Sequence, residues 1–200
     1  MPVPVKQAMR FLEFKTPSLA ADTLVISALS GSESMSRLYR YDLTLLGAPD
    51  KKVQIKDLLG KPVHVGVRDD AQTVHHFHGI VSRISIGDRD KRFQQYQAEI
   101  VPWFWLLTRR SDCRIFEHKS VIEIFKLVLE KYTSYKDIIK YKEAQTGTYN
   151  KLDYCVQYRE TDFNFLSRLM EQYGISYFFE HAESSHTMVL ADTNIAYKAV

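Results

Sequence analysis

The sequence predicts a mainly β protein in which an antiparallel β-barrel module is followed by an α+β module. Segments of alternating apolar and polar residues fill the first half of the chain. Turn-forming residues separate these segments at intervals of roughly ten to twenty residues. Apolar residues at helical spacing appear only after residue 119. We therefore predict a barrel module in residues 1–112 and an α+β module in residues 113–200.

Composition is typical of a globular chain with no special surface. The 200 residues are 45% hydrophobic, and 27 basic and 24 acidic residues give a formal net charge of +3. Because the charges are spread along the chain, they predict neither a nucleic-acid surface nor a membrane patch. The sequence has no run of about eighteen apolar residues, and its start lacks a secretory signal. We expect the protein to be made and folded in the cytosol.

The barrel module is predicted from three clear alternations, centred near Ile26, Leu43 and Ala98. Half-buried strands of an antiparallel barrel or sandwich have this pattern. Turns are expected at Gly31, Gly47–Asp50, Arg68–Asp70 and Gly87–Asp88. Residues 55–59 predict one helical turn that leads into a strand over residues 62–67, and no longer helix is expected before residue 119.

A first helix is predicted to begin after Ser120 and to run to residue 131. The Ser120 hydroxyl can cap the free amides of the first turn, and Glu123 completes a capping box. One apolar face contains Val121, Phe125, Val128, Leu129 and Tyr132. We expect this face to pack on strands at residues 154–158 and 175–179, and residues 132–151 to form an exposed connection.

A strand, a helix and a second strand follow without spare residues. Tyr154, Val156 and Tyr158 alternate with smaller or polar residues, which predicts a strand with one bulky apolar side. Thr161 can cap the next helix, and Asp162 adds negative charge at its positive end. The helix face comprises Phe165, Leu166, Leu169, Met170 and Tyr173. Gly174 is predicted to end the helix at positive φ, after which Ile175, Tyr177 and Phe179 form a strand.

This unit resembles the signature of the VgrG spike family of bacterial type VI secretion, which is related to the baseplate hub of contractile phage tails. The stretch that carries the resemblance is YRETDFNFLSRLMEQYGISYFFEH, residues 158–181. Residues 28–39, 57–61, 78–81, 103–116 and 190–192 also look like this family. The resemblance therefore covers nearly the whole chain and implies a phage tail hub-like fold.

The resemblance implies a structural, non-enzymatic protein that needs no cofactor. In that family three copies form the hub of the spike, and each contributes two related β-barrel modules. The homotrimer thus presents pseudo-sixfold symmetry to a hexameric tube protein, and it also contacts baseplate proteins and effectors. The resemblance implies no nucleic-acid partner and contact with target membranes only within the assembled spike. Such a protein is cytoplasmic before firing and is then secreted by the type VI system without a signal peptide.

The family continues past 200 residues into a second barrel, an oligonucleotide/oligosaccharide-binding-fold module and a β-helical needle. We therefore expect an amino-terminal fragment with a truncated second module. Because half of the ring is missing, we expect this fragment to be monomeric at ordinary concentrations. A baseplate hub or adaptor of a contractile phage tail, or of a related injection particle, is the alternative function.

Histidines form the most conspicuous group of candidate metal ligands. His76 and His78 share one face of a strand, and His64 and His75 lie nearby in the sequence. Two imidazoles on one face can contribute to a metal site, but a third ligand from another strand is needed. We favour the interpretation that they are polar residues on a solvated strand face, and we predict no metal.

Two further groups contain residue types used in catalysis. Arg159–Asp162 combines a cation with two carboxylates, but adjacent residues at a strand-to-helix junction usually cap and orient the chain. Ser184, Ser185 and His186 with Asp192 supply the residue types of a hydrolase triad without the G-x-S-x-G elbow. No phosphate-binding glycine motif occurs. We therefore predict no catalytic and no cofactor-binding residues.

Cys113 and Cys155 are too few and too far apart for a disulfide framework or a zinc signature, so we predict buried free thiols. The aromatic residues mostly alternate on strands or line helices, which favours core packing. Trp103–Trp105 is the exception and is expected to be partly exposed at a module junction.

Overall fold

The structure is a computed structural model that describes residues 7, 10–50, 53–71 and 73–194. Its contacts divide the chain into two compact units. The first contains the described residues up to Glu33, Leu38–Pro102 and His181–His186. The second contains Ser34–Arg37, Trp103–Glu180 and the described residues from Thr187 onward. The division at residue 112 stays a prediction about domains.

The first unit is a six-stranded antiparallel sheet that curls into a nearly closed barrel, which confirms the predicted fold class. Its strand order is β1-β4-β5-β6-β3-β2. The strands are β1 (Leu12–Lys15), β2 (Leu24–Ser32), β3 (Arg40–Gly47), β4 (Pro62–Arg68), β5 (Val74–Arg89) and β6 (Gln94–Val101). The predicted helical turn before β4 is a 3-10 helix over Ile55–Asp57.

Apolar side chains at alternating positions of the strands fill the interior of the first unit. Leu43 and Leu45 of β3 and Ile100 of β6 are buried, as the pattern predicts. Val25 lies on the opposite face of β2 from Leu24 and Ile26. It is fully buried as well, so both faces of β2 are covered at its start.

Two predicted turns lie within strands. Gly31 is part of β2, where it lies opposite Tyr41 of β3. Strand β5 continues through Gly87–Asp88 to Arg89, and the chain reverses at residues 90–93 instead. There the Asp90 carboxylate accepts the backbone N–H groups of Arg92 and Phe93, each at 2.6 Å. An aspartate that accepts from amides two and three residues ahead stabilises a turn without glycine. The prediction relied on Gly87 and therefore placed the turn too early.

The second unit combines short sheets and helices. Its elements are a 3-10 helix (Trp103–Arg109), β7 (Ser111–Lys119), α1 (Val121–Leu129), a 3-10 turn (Thr133–Tyr135), β8 (Tyr141–Glu143), β9 (Leu152–Thr161), α2 (Asp162–Gln172), and most of β10 (Ser176–Ala182) and β11 (Ser185–Ala191), whose residues 181–182 and 185–186 belong to the first unit. Strands β7 and β9 form an antiparallel ribbon, and β10, β11 and β8 form a three-stranded sheet. No helix in the described part of the chain is long and apolar enough to cross a membrane.

The 3-10 helix over Trp103–Arg109 differs from two expectations. It is longer than one turn and precedes residue 119, where no such helix was predicted. Its three-residue period does not produce the 3.6-residue pattern by which α-helices are recognised. It also buries Trp103 and Phe104 completely, so the predicted partial exposure of Trp103–Trp105 is wrong for these two residues and holds only for half-buried Trp105.

Helix α1 begins where the sequence predicts. The Ser120 hydroxyl accepts the Glu123 N–H at 3.3 Å, and the Glu123 carboxylate accepts the Ser120 N–H at 2.8 Å, which confirms the capping box. The helix ends at Leu129, two residues earlier than predicted. Its buried Phe125 packs edge-on against Tyr141 of β8, with ring centroids 5.3 Å apart, rather than against residues 154–158.

The segment between α1 and β9 is more ordered than predicted. Residues 132–151 were expected to form an exposed connection, but β8 lies within them and pairs in parallel with β11. Met188 lies opposite Tyr141, and Leu190 lies opposite Glu143. A three-residue strand is too short to show an alternation in the sequence, because its signal is the partner strand.

The ribbon of β7 and β9 has the opposite orientation to the predicted one. Its inner face packs on α2, where the Phe116 ring stacks on Phe165 at 5.6 Å and Gln157 is fully buried. Tyr154 and Tyr158 are 70% and 64% exposed on the outer face, so the expectation of a buried apolar side is wrong. Alternation shows that a strand has two different faces, but the position of α2 decides which face is covered.

Both cysteines are free, and neither is fully buried. Cys113 is exposed and Cys155 is half-buried, which corrects the prediction of two buried thiols. Burial raises the pKa of the Cys155 thiol above its ordinary value, although Arg168 opposes this shift.

Candidate functional site

The carboxylate of Asp162, the first residue of α2, is completely buried and accepts three side-chain hydrogen bonds. A buried charge costs free energy unless it is paired and hydrogen-bonded. Arg114 of β7 donates to Asp162 Oδ1, and Gln157 Nε2 donates to the same oxygen at 2.8 Å. The Tyr132 hydroxyl donates to Oδ2 at 2.8 Å. Burial, followed by this bond to Asp162, raises the pKa of Tyr132 well above its usual range. We name these four residues the Asp162 network.

The Asp162 network fixes distant segments to one another. Arg114 also donates through Nε to Gln157 Oε1 at 2.8 Å, so β7 and β9 are bridged by side chains as well as by backbone. The Asp162 N–H donates to the carbonyl of Arg110 at 3.0 Å. Removal of one member leaves others buried without a partner, which makes such a network sensitive to substitution.

The other residues of the Arg159–Asp162 block have structural contacts. The Thr161 hydroxyl accepts the Asn164 N–H at 3.1 Å, which confirms the predicted helix cap. Glu160 accepts from Arg168 Nε, with both oxygens at 3.0 Å. Asp162 lies at the start of α2, as predicted, and its carboxylate is held in the interior by Arg114 and Tyr132.

Asp192 closes a second polar cluster. Its Oδ1 accepts the Thr146 N–H at 2.9 Å, and its Oδ2 accepts the Gly147 N–H at 2.7 Å and the Tyr149 hydroxyl at 2.8 Å. The backbone bond from Thr146 is the largest cause that lowers the pKa of Asp192. Burial and the bond to Asp192 raise the pKa of Tyr149 to about 12. Asp192 therefore acts as a clamp on the loop that follows β8.

The histidines of the first unit form two close pairs. His64 Nε2 lies 2.9 Å from His76 Nδ1, and His78 Nδ1 lies 2.9 Å from His186 Nδ1. His64 and His78 are only 4% and 6% exposed, so the prediction of a solvated strand face is wrong for both. Of the histidines on β5, only His75 is exposed, and its Nε2 lies 3.3 Å from Asp69. His78 contacts His181 and His186, which lie far along the chain, so a local sequence pattern could not indicate its burial.

Aromatic and backbone groups surround the second pair. The Tyr39 hydroxyl donates to the carbonyl of His78 at 2.6 Å, and the His78 N–H donates to His181 Nδ1 at 3.0 Å. His181 Nε2 lies 2.8 Å from a Glu33 oxygen, at ion-pair distance but outside hydrogen-bond geometry. Within the described ranges, no three His, Cys, Asp or Glu side chains are arranged to hold a metal ion.

The residue types of the possible hydrolase triad have other contacts. His186 faces His78, while both oxygens of Asp192 are bonded to the loop at residues 146–149. A triad needs the aspartate to orient the histidine, and this aspartate is engaged elsewhere.

The first unit also has an open, mainly apolar cavity of about 640 Å³. Phe14, Leu24 and Val63 form part of its wall. At its rim Lys15 pairs with Glu13 at 3.0 Å and with Glu183 at 2.8 Å. Lys15 is thus engaged by two carboxylates in ion pairs, so this cluster does not have the arrangement of an active site.

Family comparison gives a clear match. Residues 32–200 match the profile of the phage tail baseplate hub (GPD) family. The type VI secretion system spike protein VgrG1a of Pseudomonas aeruginosa is 40% identical over 193 residues, which are 96% of this chain and 29% of that protein. The chain thus spans less than a third of the length of this relative.

Solved structures share the fold at low sequence identity. An Escherichia coli type VI secretion component, c3393, which is described as similar to the T4 phage tail proteins gp27 and gp5, matches with a TM-score of 0.80 at 20% identity. The match covers 94% of this chain and 51% of that one. A chain in the solved structure of a Francisella PdpA–VgrG complex matches with a TM-score of 0.62 at 14% identity, over 84% of this chain and 27% of that one.

Proposed function

This chain belongs to the phage tail baseplate hub family, and we propose that it forms the amino-terminal hub region of a type VI secretion spike of the VgrG type. The family is structural and non-enzymatic. The observation that carries the proposal is the 40% identity to a named spike protein over 96% of the chain. Relatives at 40% identity are named as secretion spike proteins, which favours a secretion spike over a phage tail hub.

The proposed mechanism is mechanical. Three copies of the whole protein form a ring, the barrel module at residues 1–112 lines that ring, and the module at residues 113–200 lies outside it. The ring docks on a hexameric tube protein and transmits the thrust of a contracting sheath. The Asp162 network supports this role because a hub under load needs elements that do not slide, and buried polar networks specify one arrangement.

The proposed partners follow from the same role. They are two further copies in the whole protein, the tube protein, baseplate proteins and effectors, with no nucleic acid. The protein resides in the cytoplasm before firing, leaves through the type VI system and meets target membranes only within the spike. No catalytic, cofactor-binding or metal-binding residue is assigned to the chain in this role.

A chimera tests the proposal. The matching amino-terminal region of Pseudomonas aeruginosa VgrG1a is replaced by this chain, in a strain that lacks its other spike genes. We expect the chimera to restore release of the tube protein into the medium. A matched chimera carrying Asp162→Asn should fail, whereas one carrying Glu160→Gln, which alters an exposed pair, should work.

The outcome that contradicts the proposal is specific. If the unaltered chimera accumulates as a stable trimer but releases no tube protein, the region is not a functional secretion hub. Release by the Asp162→Asn chimera at the unaltered level would instead refute the structural role of the network.

A further inference from the structure

The outer face of the ribbon of β7 and β9 is an exposed apolar surface. Of the ten exposed large hydrophobic residues in the described ranges, four lie on this face. Ile115, Tyr154 and Tyr158 are each about two-thirds exposed, and Val156 is 39% exposed. We define these four residues as the ribbon face. Such a concentration marks an interaction site, because scattered exposed apolar residues are ordinary but contiguous ones are not.

The ribbon face is a firm platform. Ile115 lies directly opposite Val156 in the antiparallel register, and Glu117 lies opposite Tyr154. Beneath these residues the inner face is anchored by the stack of Phe116 on Phe165 and by the buried Gln157. The strands that carry the outward side chains are therefore fixed before any partner arrives, which reduces the entropy cost of binding.

The charges at the two ends of the ribbon face are opposite. Glu117 is exposed beside Tyr154 at one end. At the other end the Arg159 guanidinium lies over the Tyr158 ring, 5.2 Å from its centroid. Arg159 has a φ of 51° at the register shift of β9, so its side chain is turned toward the outer face instead of following the strand alternation.

We propose that the ribbon face binds the same face of a second copy of this chain about a twofold axis. The axis crosses the strands at the Ile115–Val156 pair, which lies midway between Tyr154 and Tyr158. This rotation places the Tyr154 end of one copy over the Tyr158 end of the other, and it brings Glu117 toward Arg159 twice. Isologous contacts require this kind of self-complementarity.

The area is sufficient for a weak dimer. Two tyrosines about two-thirds exposed, with the isoleucine and valine, present on the order of 450 Å² of apolar surface. A standard interface buries about 800 Å² on each partner, so a smaller and weaker contact is expected. The contact goes beyond the proposed hub function, and it revises the expectation of a monomer, which was based on ring closure and treated the apolar side of β9 as core.

Sedimentation of the 200-residue chain tests the proposal over a range from about 5 to about 500 µM. We expect the average mass to rise from monomer toward dimer, with a Kd of about 100 µM or tighter. A monomer at the highest concentration, or a trimer, would overturn the twofold contact. Neither result bears on the chimera experiment, since that depends on the whole spike.

Variants locate the contact. Tyr154→Ser should weaken the dimer about tenfold or more. Glu117→Arg and Arg159→Glu should each weaken it, and the double variant should return the Kd to within about threefold of the original. Ile86→Ser, which removes an exposed apolar residue from β5, should leave the Kd of the dimer unchanged.

Thermal unfolding of each variant checks that its fold is intact. We expect an intact fold, because all of these side chains are exposed. If the charge swap fails to restore the dimer in folded protein, the end-to-end arrangement is wrong. If Tyr154→Ser leaves the Kd unchanged, the ribbon face is not the contact.

Discussion

Arg114 of β7 and Asp162 of α2 form an ion pair in which the carboxylate is completely buried. The two residues are 48 positions apart in the chain. Gln157 and Tyr132 occupy the remaining positions around Asp162, so the charge is compensated by one cation and two neutral donors. The strand-to-helix junction at residue 161 is therefore fixed from both strands of the ribbon.

Asp162→Asn should destabilise the second unit strongly. The substitution leaves the Arg114 charge in a mostly buried position without its anion, and the loss of one partner of a buried pair costs about 3 to 5 kcal/mol. Urea unfolding should give that difference in the free energy of unfolding. Glu160→Gln is the matched control, since its partner Arg168 is nearly half exposed and such a pair contributes less than about 1 kcal/mol. Equal effects of the two substitutions would disprove the role of the Asp162 network.

Phe125→Ala should cost about 3 to 5 kcal/mol, because Phe125 is 1% exposed and its removal leaves a cavity between α1 and β8. Ile115→Ala removes an exposed apolar side chain from the same unit and should change stability by less than about 0.5 kcal/mol. Chemical denaturation of the two variants at concentrations well below the expected Kd compares them directly. A cost below about 1 kcal/mol for Phe125→Ala would contradict the packing.

Ser120→Ala should cost about 1 kcal/mol, because the first turn of α1 loses the acceptor for the Glu123 N–H. Hydrogen exchange should show faster exchange at the amides of the first turn and little change at the buried amides near Val128. Ser120→Asp keeps an acceptor at this position and should retain most of the stability. If Ser120→Ala and Ser120→Asp are equally destabilised, the cap does not contribute as described.

Acid should destabilise the first unit through His64. Burial is the largest cause that lowers the pKa of His64 to about 4, followed by His76 and Lys15, while Glu183 and Glu13 oppose the shift. The ordinary pKa is 6.5, so between pH 6.5 and pH 4 the unfolded chain binds more protons at this position. The contribution of neutral His64 to the free energy of unfolding is fully present above pH 6.5. As the pH falls toward 4, the free energy of unfolding decreases by roughly 2 kcal/mol.

Urea unfolding at pH 7, 5.5 and 4.5 measures this loss. His64→Gln should show a shallower fall in the free energy of unfolding than the unaltered chain. His75→Gln, at an exposed histidine on a neighbouring strand, should not differ from it. Carboxylate titration affects all three proteins alike, so the difference between the two variants isolates His64. Parallel pH profiles for both would refute the assignment.

Asp192→Ala should release the loop after β8. The amides of Thr146 and Gly147 lose their acceptor and should exchange with solvent faster, while amides in β9 keep their protection. The pKa of Tyr149 should fall from about 12 toward its ordinary value of 10. Ultraviolet titration of the tyrosines follows that change. An unchanged exchange rate at Gly147 would show that Asp192 does not act as the clamp.

The sequence predicted those features whose signal lies within one element. Ser120 with Glu123, and Thr161 with Asn164, are contacts across one helical turn, so their spacing alone identifies two helix starts. Gly174 has the positive φ predicted for the residue that ends α2. The short strand β8 and the partners of Asp162 had no such signal, because their partners are distant along the chain.

By itself the sequence determined the class of fold, the positions of several strands, the starts of both α-helices, and the family to which the chain belongs. Local spacing and capping chemistry act over a few residues, and residue identity at motif positions can be read directly. Only the tertiary structure decided that α2 covers Gln157 and leaves Tyr154 and Tyr158 exposed, and that His64 and His78 are buried. Periodicity gives every strand two faces, and long-range packing selects the one that is removed from water.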